Sequence, residues 1–234
     1  GCTTYVRPIF SCKVVEWVKR AGGKPFLTDS STLYHGKRCN GVDHLELAIK
    51  NGFSYSTVGA PVVIADGIKS RDYAEVEIGL KHFRSVKYGS AVHHADRLVC
   101  ISHFKGHLAT GFGGTFKKIG MGLGSRSQKQ TMHAVVKPEY KDRTLCTACA
   151  RCVEVCPAGA VKIVSEKAVF DHEKCTGCAE CISVCPARAL KILWNESSEH
   201  LCEKSVETAY AVLKHKKDRA VFFNFVIDVT PDCD

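Results

Sequence analysis

No apolar run in the 234-residue chain approaches the roughly 18 residues that a membrane-spanning helix needs, and no leader of the secretory kind opens it. The expectation is a cytoplasmic protein that makes no use of a membrane. The chain also lacks a Gly-Lys-Ser/Thr loop and a G-x-G-x-x-G turn, the signatures of two common phosphate cradles. Basic residues are not interleaved with aromatics in the manner of a base-stacking platform, which argues against nucleic acid as a partner. Hydrophobic residues at 45% and charged residues at 24% exclude a disordered or fibrous chain.

Cysteine is what the chain has in excess, with 14 residues. Eight fall in two runs, Cys146-Thr-Ala-Cys149-Ala-Arg-Cys152-Val-Glu-Val-Cys156-Pro157 and Cys175-Thr-Gly-Cys178-Ala-Glu-Cys181-Ile-Ser-Val-Cys185-Pro186. Each run leads into Pro-Ala-x-Ala-x-Lys-Ile, so the segment is an internal repeat of loop, short helix and strand. Zinc sites draw four ligands from two separated pairs, not three plus one repeated twice. Eight cysteines this close could scarcely all form disulfides without strain, and disulfides need an oxidising compartment.

The pattern C-x2-C-x2-C-x3-C-P, twice, resembles the bacterial two-cluster ferredoxins over about residues 140–194. The resemblance implies an α+β ferredoxin-like module with two [4Fe-4S] clusters. Cys146, Cys149, Cys152 and Cys185 would hold one cluster, and Cys175, Cys178, Cys181 and Cys156 the other. Of the six further cysteines, Cys12, Cys100 and Cys202 lie in apolar patterns and read as small buried hydrophobes. Cys2 and Cys39 sit among polar residues. Cys233, in Thr-Pro-Asp-Cys-Asp, reads either as an exposed tail thiol or as a group that handles metal.

The net charge of +9 is uneven: +11 over residues 1–145, +1 over 146–194 and −3 over 195–234. A basic body attracts an anionic substrate or cofactor, with a plain solvated surface as the alternative. Apolar spacing predicts a helix over 9–21, a strand ending at Thr28-Asp29, and a helix from Asp43 as N-cap to Asn51 with Leu45, Ala48 and Ile49 inward. Buried strands are expected over 61–67 and 97–103. A helix is expected over 199–217 with a stripe at Cys202, Val206, Ala209 and Leu213, then a strand over 220–229 too apolar to stay exposed. The fold class is therefore α/β, a mainly parallel sheet flanked by helices. The last helix and strand are expected to complete that sheet, which makes the cysteine-rich module an insertion: 1–139 and 195–234 one α/β domain, 140–194 the module.

A glycine-rich stretch, Phe104 to Gly124, follows the strand ending at His103, the carboxyl-end position where α/β sheets bind ligands. Gly111, Gly113, Gly114, Gly120 and Gly122 permit close backbone approach, and their amides beside Lys117 suit an anion. Lys105, His103 and His107 are the candidate catalytic groups, offering acid/base function, anion contacts or ligands for a further metal. A tight structural loop is the alternative. Asp29, Asp66 and Asp228 each end an inferred strand, where they either face one crevice or cap a turn.

The loop from Ser102 to Gly124 and the segments Phe26 to Gly36, Val58 to Pro61, Ala65 to Gly67 and Asn224 to Asp234 resemble the DUF362 iron–sulfur proteins over nearly the whole chain. The resemblance implies the interrupted architecture and leaves the reaction open. Lys118 and Gln128 depart from the family's usual Asn and Gly. Members usually extend beyond both ends, so some of the sheet is expected from residues outside this chain or from a partner. The function expected is an oxygen-sensitive electron relay between the clusters and a ligand site in the α/β part, working with a redox partner protein. In enzymatic form it would be a ferredoxin-dependent oxidoreductase acting on a small anionic substrate. The alternatives are a carrier or adaptor subunit that docks an enzyme, and a metal or cluster trafficking protein.

Overall fold

The structure, a computed structural model, describes residues 5–133, 138–192 and 195–231. The chain enters on α1 (Pro8–Arg20), with proline in the first turn where a missing N–H leaves no bond unmade. β1 (Leu27–Asp29), α2 (Gly41–Lys50), α3 (Tyr55–Val58) and β2 (Val62–Ile64) form a β-helix-β crossover. β2 lies parallel to β1, with Leu27 opposite Val62 and Asp29 opposite Ile64. Asn40, not Asp43, caps α2: its side-chain oxygen accepts the Asp43 N–H at 2.9 Å. The helix therefore starts earlier than its apolar spacing suggests, and the face it buries carries His44 and leaves Ile49 half exposed.

A hairpin of β3 (Tyr73–Glu77) and β4 (Ser85–Gly89) leads through α4 (Ser90–His94) to β5 (Leu98–His103). The expected glycine-rich loop is a second hairpin, β6 (Lys105–His107) with β7 (Gly111–Gly113), followed by α5 (Thr115–Gly120) and α6 (Arg126–His133). The cysteine-rich segment runs through β8 (Glu139–Tyr140), α7 (Arg151–Glu154), β9 (Val161–Val164), β10 (Lys167–Phe170), α8 (Glu180–Val184) and β11 (Leu190–Lys191). α9 (Ser198–Lys214) and β12 (Ala220–Phe225) close the chain.

β12 pairs in parallel with β5 along its whole length, from Ala220–Leu98 to Phe225–His103. Among the described residues the strands do not merge into one mainly parallel sheet. They form two parallel pairs and four antiparallel pairs. The strands are short, and α5 packs against both β5 and α9. Val86, Tyr88, Val92, Leu98, Ile119 and Val212 are central to the core that results.

Small sheets cover few faces, so two strands expected to be buried are not. Val63 of β2 is 40% exposed, and Val221 and Phe222 of β12 are 51% and 44% exposed. The buried stripe of α9 is Leu201, Ser205, Thr208, Ala209 and Val212, and Val206 faces solvent. Gly120 sets how closely α5 approaches α9. A Cβ there would stand 2.1 Å from the Ser205 carbonyl oxygen, so only glycine fits.

Candidate functional site

The ends of the cysteine-rich segment meet: β8 and β11 pair antiparallel, with Tyr140 opposite Leu190, and β9 pairs with β10. The two cysteine runs fold alike at an offset of 29 residues. Ala148 and Gly177, Ala150 and Ala179, and Gly159 and Arg188 all have positive φ, between 49° and 70°. Those left-handed residues turn the backbone sharply within each run. Alanine carries the steric cost of this conformation at three of the six positions.

Cys146, Cys149, Cys152 and Cys185 line one cavity together with Tyr140, Ile163 and Leu190. The thiols ring this space and do not converge on a point. Among the described residues no three His, Cys, Asp or Glu side chains come together as they would on a single metal ion. Burial pushes the Cys152 thiol up, and Cys146, Cys149 and Cys185 push it further. Burial also raises Cys178, with Cys156 and Cys175 adding to it. Cys181 is raised by burial, then by Cys178 and Cys175, then by Cys152 and Cys156. Cys185 of the second run thus lies with Cys146, Cys149 and Cys152 of the first, Cys156 acts with Cys175 on Cys178, and Cys181 feels cysteines of both runs.

Burial works against the Cys146 thiolate, but Tyr140, the Ala148 and Ala168 backbone and Lys167 outweigh it and hold the thiol below its ordinary value. Backbone amides donate to two other sulfurs, Ala160 to Cys156 at 3.2 Å and Gly177 to Cys175 at 3.4 Å. Among the described cysteines none forms a disulfide. The donor set, all sulfur with amide support, fits a polynuclear iron–sulfur group.

One thiol set lies against the α/β body. Arg71, in the turn before β3, donates through Nε to the buried Glu180 carboxylate at 2.8 Å and through Nη2 to the Val155 carbonyl at 2.6 Å. Glu180 lies between Cys178 and Cys181, and Val155 precedes Cys156, so one guanidinium grips both contributors to that set. Leu33, from the body, is buried among Ala179, Cys181, Ile182 and Ile192.

Behind Leu33 the carboxyl ends of β1 and β2 bring together a polar centre. Asp66, fully buried, accepts from the Ser31 amide at 2.9 Å, from the Ser31 hydroxyl at 3.1 Å and from Ser70. Asp29 accepts from the Ser30 amide at 3.0 Å and from Lys118 Nζ at 3.1 Å. Lys129 Nζ donates to Ser30 Oγ at 2.8 Å and the Ser31 carbonyl at 2.6 Å. Arg126, only 2% exposed, donates to the carbonyls of Thr32 and Cys39. His44 is buried with its Nδ1 lacking a hydrogen-bond partner among the described residues.

Burial alone would raise Asp29, but Lys118, then Lys129, His44 and Arg38, hold it down to about 2. Burial brings Lys129 down to about 8 against the pull of Asp66 and Asp29, and lowers His44 despite Asp29. A lysine whose folded value lies below its unfolded value of 10.5 binds fewer protons folded than unfolded between pH 8 and 10.5. Stability should therefore rise across that window. Urea unfolding of the wild type is expected to show the rise, and Lys129→Met to remove it; equal slopes in the two proteins would refute the assignment.

The expected site residues are divided. Of the three aspartates, Asp29 and Asp66 share the centre, whereas Asp228 makes an exposed pair with Arg7 at 2.8 Å. His103 is bonded through Nε2 to the Ile227 carbonyl at 2.5 Å and lines a cleft with Phe10, Phe225 and Asp228. His107 Nδ1 accepts the Ala109 and Thr110 amides at 3.2 and 3.1 Å, ordering the β6–β7 turn, where Gly111 takes φ +75°. Lys105 runs its stem past Gly113. His133 is lowered to about 4 by burial and then by Lys117 and His107.

Gly114 packs on Asn224, and Gly120 and Gly122 pack too tightly against backbone to admit a Cβ. The Gly122 carbonyl accepts from Ser30 and Lys129. Cys100 is buried, Cys12 and Cys202 are half-buried, and Cys39 is buried under Arg126. Cys2 and Cys233 lie outside the described residues.

No helix among the described residues is long and apolar enough to cross a membrane. Fold and site define a mixed α/β protein with small parallel sheets whose body packs against a cysteine-rich segment closed by its own end strands. The model of the family described as "Domain of unknown function (DUF362)" matches residues 2–234, and the chain belongs to that family. Comparison with curated proteins and with solved structures gave no match.

Proposed function

We propose that this is an iron–sulfur redox protein that binds two [4Fe-4S] clusters in an inserted ferredoxin-like segment and relays electrons to or from a ligand site in its α/β part. The observation that carries this reading is that Cys146, Cys149, Cys152 and Cys185, drawn from both runs, line one cavity, while Cys181 packs against Leu33 of the body. Cys146, Cys149, Cys152 and Cys185 would hold one cluster, and Cys175, Cys178, Cys181 and Cys156 the other. Bound clusters of this type supply one-electron transfer. At Cys146 the chain's own contribution is to favour the thiolate, through Tyr140 and Lys167. Amides of Gly177 and Ala160 orient sulfurs, and Leu33, Ile182, Leu190 and Ile192 keep water away.

Arg71 and Leu33 favour a relay into the body over a free-standing carrier, because they tie one thiol set to the side of the protein that holds the Asp29–Lys129 centre. A carrier that docks a partner enzyme is the second reading, favoured by the apolar surface of the β6–β7 region, where Leu108 is 91%, Phe112 52% and Phe116 62% exposed. Protein purified without oxygen should contain about eight irons and as much acid-labile sulfide per chain, and give a cluster EPR signal after reduction. Tightly bound zinc, or iron without sulfide, would end the proposal.

A further inference from the structure

We infer that Arg71 is a positioning residue for one of the two proposed clusters. By holding the buried Glu180 carboxylate it sets the reduction potential of the group on Cys156, Cys175, Cys178 and Cys181, and it leaves the other group alone. The inference rests on the iron–sulfur reading and names the contact through which the α/β part acts on one cluster.

The two cysteine runs repeat at an offset of 29 residues, so that Glu180 of the second corresponds to Arg151 of the first. The repeat keeps the cysteines and reverses the charge. Arg151 is exposed, whereas the Glu180 side chain is only 5% exposed. Ligation by four thiolates asks for neither residue. The body accounts for the difference. Arg71 donates through Nε to Glu180 Oε2 at 2.8 Å, and its Nη2 reaches that same oxygen and the Val155 carbonyl, the latter at 2.6 Å. α6 approaches the same run, where a Cβ on Gly177 would lie 3.9 Å from the Gln130 side chain.

Arg71 is itself held from behind. Ser70, buried, takes φ +58°, a costly conformation for a residue with a side chain. Its hydroxyl donates to the buried Asp66 and accepts the Arg126 amide at 3.0 Å, which fixes the turn from which Arg71 projects. Asp66 to Ser70, then Arg71 to Glu180, is thus one bonded path from the polar centre to the cysteine segment. Reduction adds a negative charge to a cluster. A carboxylate between two of its ligands opposes that charge, and a guanidinium in contact with the carboxylate offsets the opposition. Away from bulk water both effects are stronger, and a buried Glu180 stripped of Arg71 would act at full strength.

The test is redox titration of the anaerobically purified full chain, with each cluster followed by its EPR signal. Arg71→Gln should lower one midpoint potential, and Glu180→Gln should raise the same one. That midpoint should belong to the signal that Cys156→Ala removes. The double variant Arg71→Gln/Glu180→Gln, which takes away both charges, should return toward the wild type. Arg71→Lys, which keeps the charge, should shift the midpoint less than Arg71→Gln. A contact that serves only to hold the fold would move the two single variants in the same direction or not at all. Either of those results, or a shift confined to the other cluster, overturns the inference. If Arg71→Gln fails to hold its clusters, the isosteric Glu180→Gln decides by whether its midpoint rises. A wild type without iron and sulfide would refute the cluster reading, whereas full clusters with unmoved midpoints would refute this inference alone.

Discussion

Cys156→Ala is expected to remove the same cluster as Cys178→Ala, although Cys156 lies in the other cysteine run. The Cys178 thiol is raised by Cys156 and Cys175, and the Cys152 thiol by Cys146, Cys149 and Cys185. Each [4Fe-4S] group uses four thiolates, so losing any one of a set acts on that set. Each single variant should lose about half of the reduced-state EPR intensity. The double variant Cys156→Ala/Cys178→Ala should lose no more than either single one, because both act on one group. Cys149→Ala/Cys156→Ala should lose both signals. The opposite pattern, with Cys156 behaving as one of a set with Cys149, would show that each run serves its own cluster and that the crossing is wrong. Under the proposed crossing the two halves of the segment would not load independently, since each run would lend its fourth cysteine to the other.

Asp66→Ala should be the most destabilising single change in the body. Its carboxylate is fully buried and accepts from the Ser31 amide, the Ser31 hydroxyl and Ser70. Truncation leaves buried donors without an acceptor, each worth about 1–3 kcal/mol. It also withdraws the carboxylate that most favours the charged form of Lys129. A loss on the order of 3–5 kcal/mol follows, a large part of a typical domain's total stability. Ser70 also accepts the Arg126 amide at 3.0 Å, so the damage should reach the start of α6. Asp228→Ala is the matched comparison, because its pair with Arg7 is exposed on both sides. Such pairs contribute about 0–1 kcal/mol. Urea unfolding of both variants decides the matter. Equal losses would mean that Asp66 caps a turn, as a strand-end aspartate often does, and holds no centre together.

The three aspartates show how far residue pattern reaches. Each ends a strand in the sequence, and nothing local distinguishes them. Asp29 and Asp66 meet because β1 and β2 pair in parallel, which aligns their carboxyl ends. Asp228 follows β12, whose partner is β5, and it ends near Arg7. The start of α2 had a local signal, since Asn40 three residues before Asp43 is a capping arrangement. Its buried face had none: His44 is buried and Ile49 half exposed, against the apolar spacing. The glycine-rich stretch was visible as a feature but not as a hairpin with packing glycines. What a glycine leaves room for, as Gly120 does for α9, depends on residues 85 positions away.

The cysteine spacing, the 29-residue repeat and the helical period of α1 and α9 are properties of neighbours in the chain. Covalent reach and local periodicity are enough to specify them. The bonding of Lys118 to Asp29 and of Lys129 to Ser30 and Ser31, and the grip of Arg71 on Glu180, are not. The same holds for the exposure of β2 and β12. They depend on which strands pair and which faces are covered, and distances between residues 70 to 110 positions apart exist only once the chain has packed.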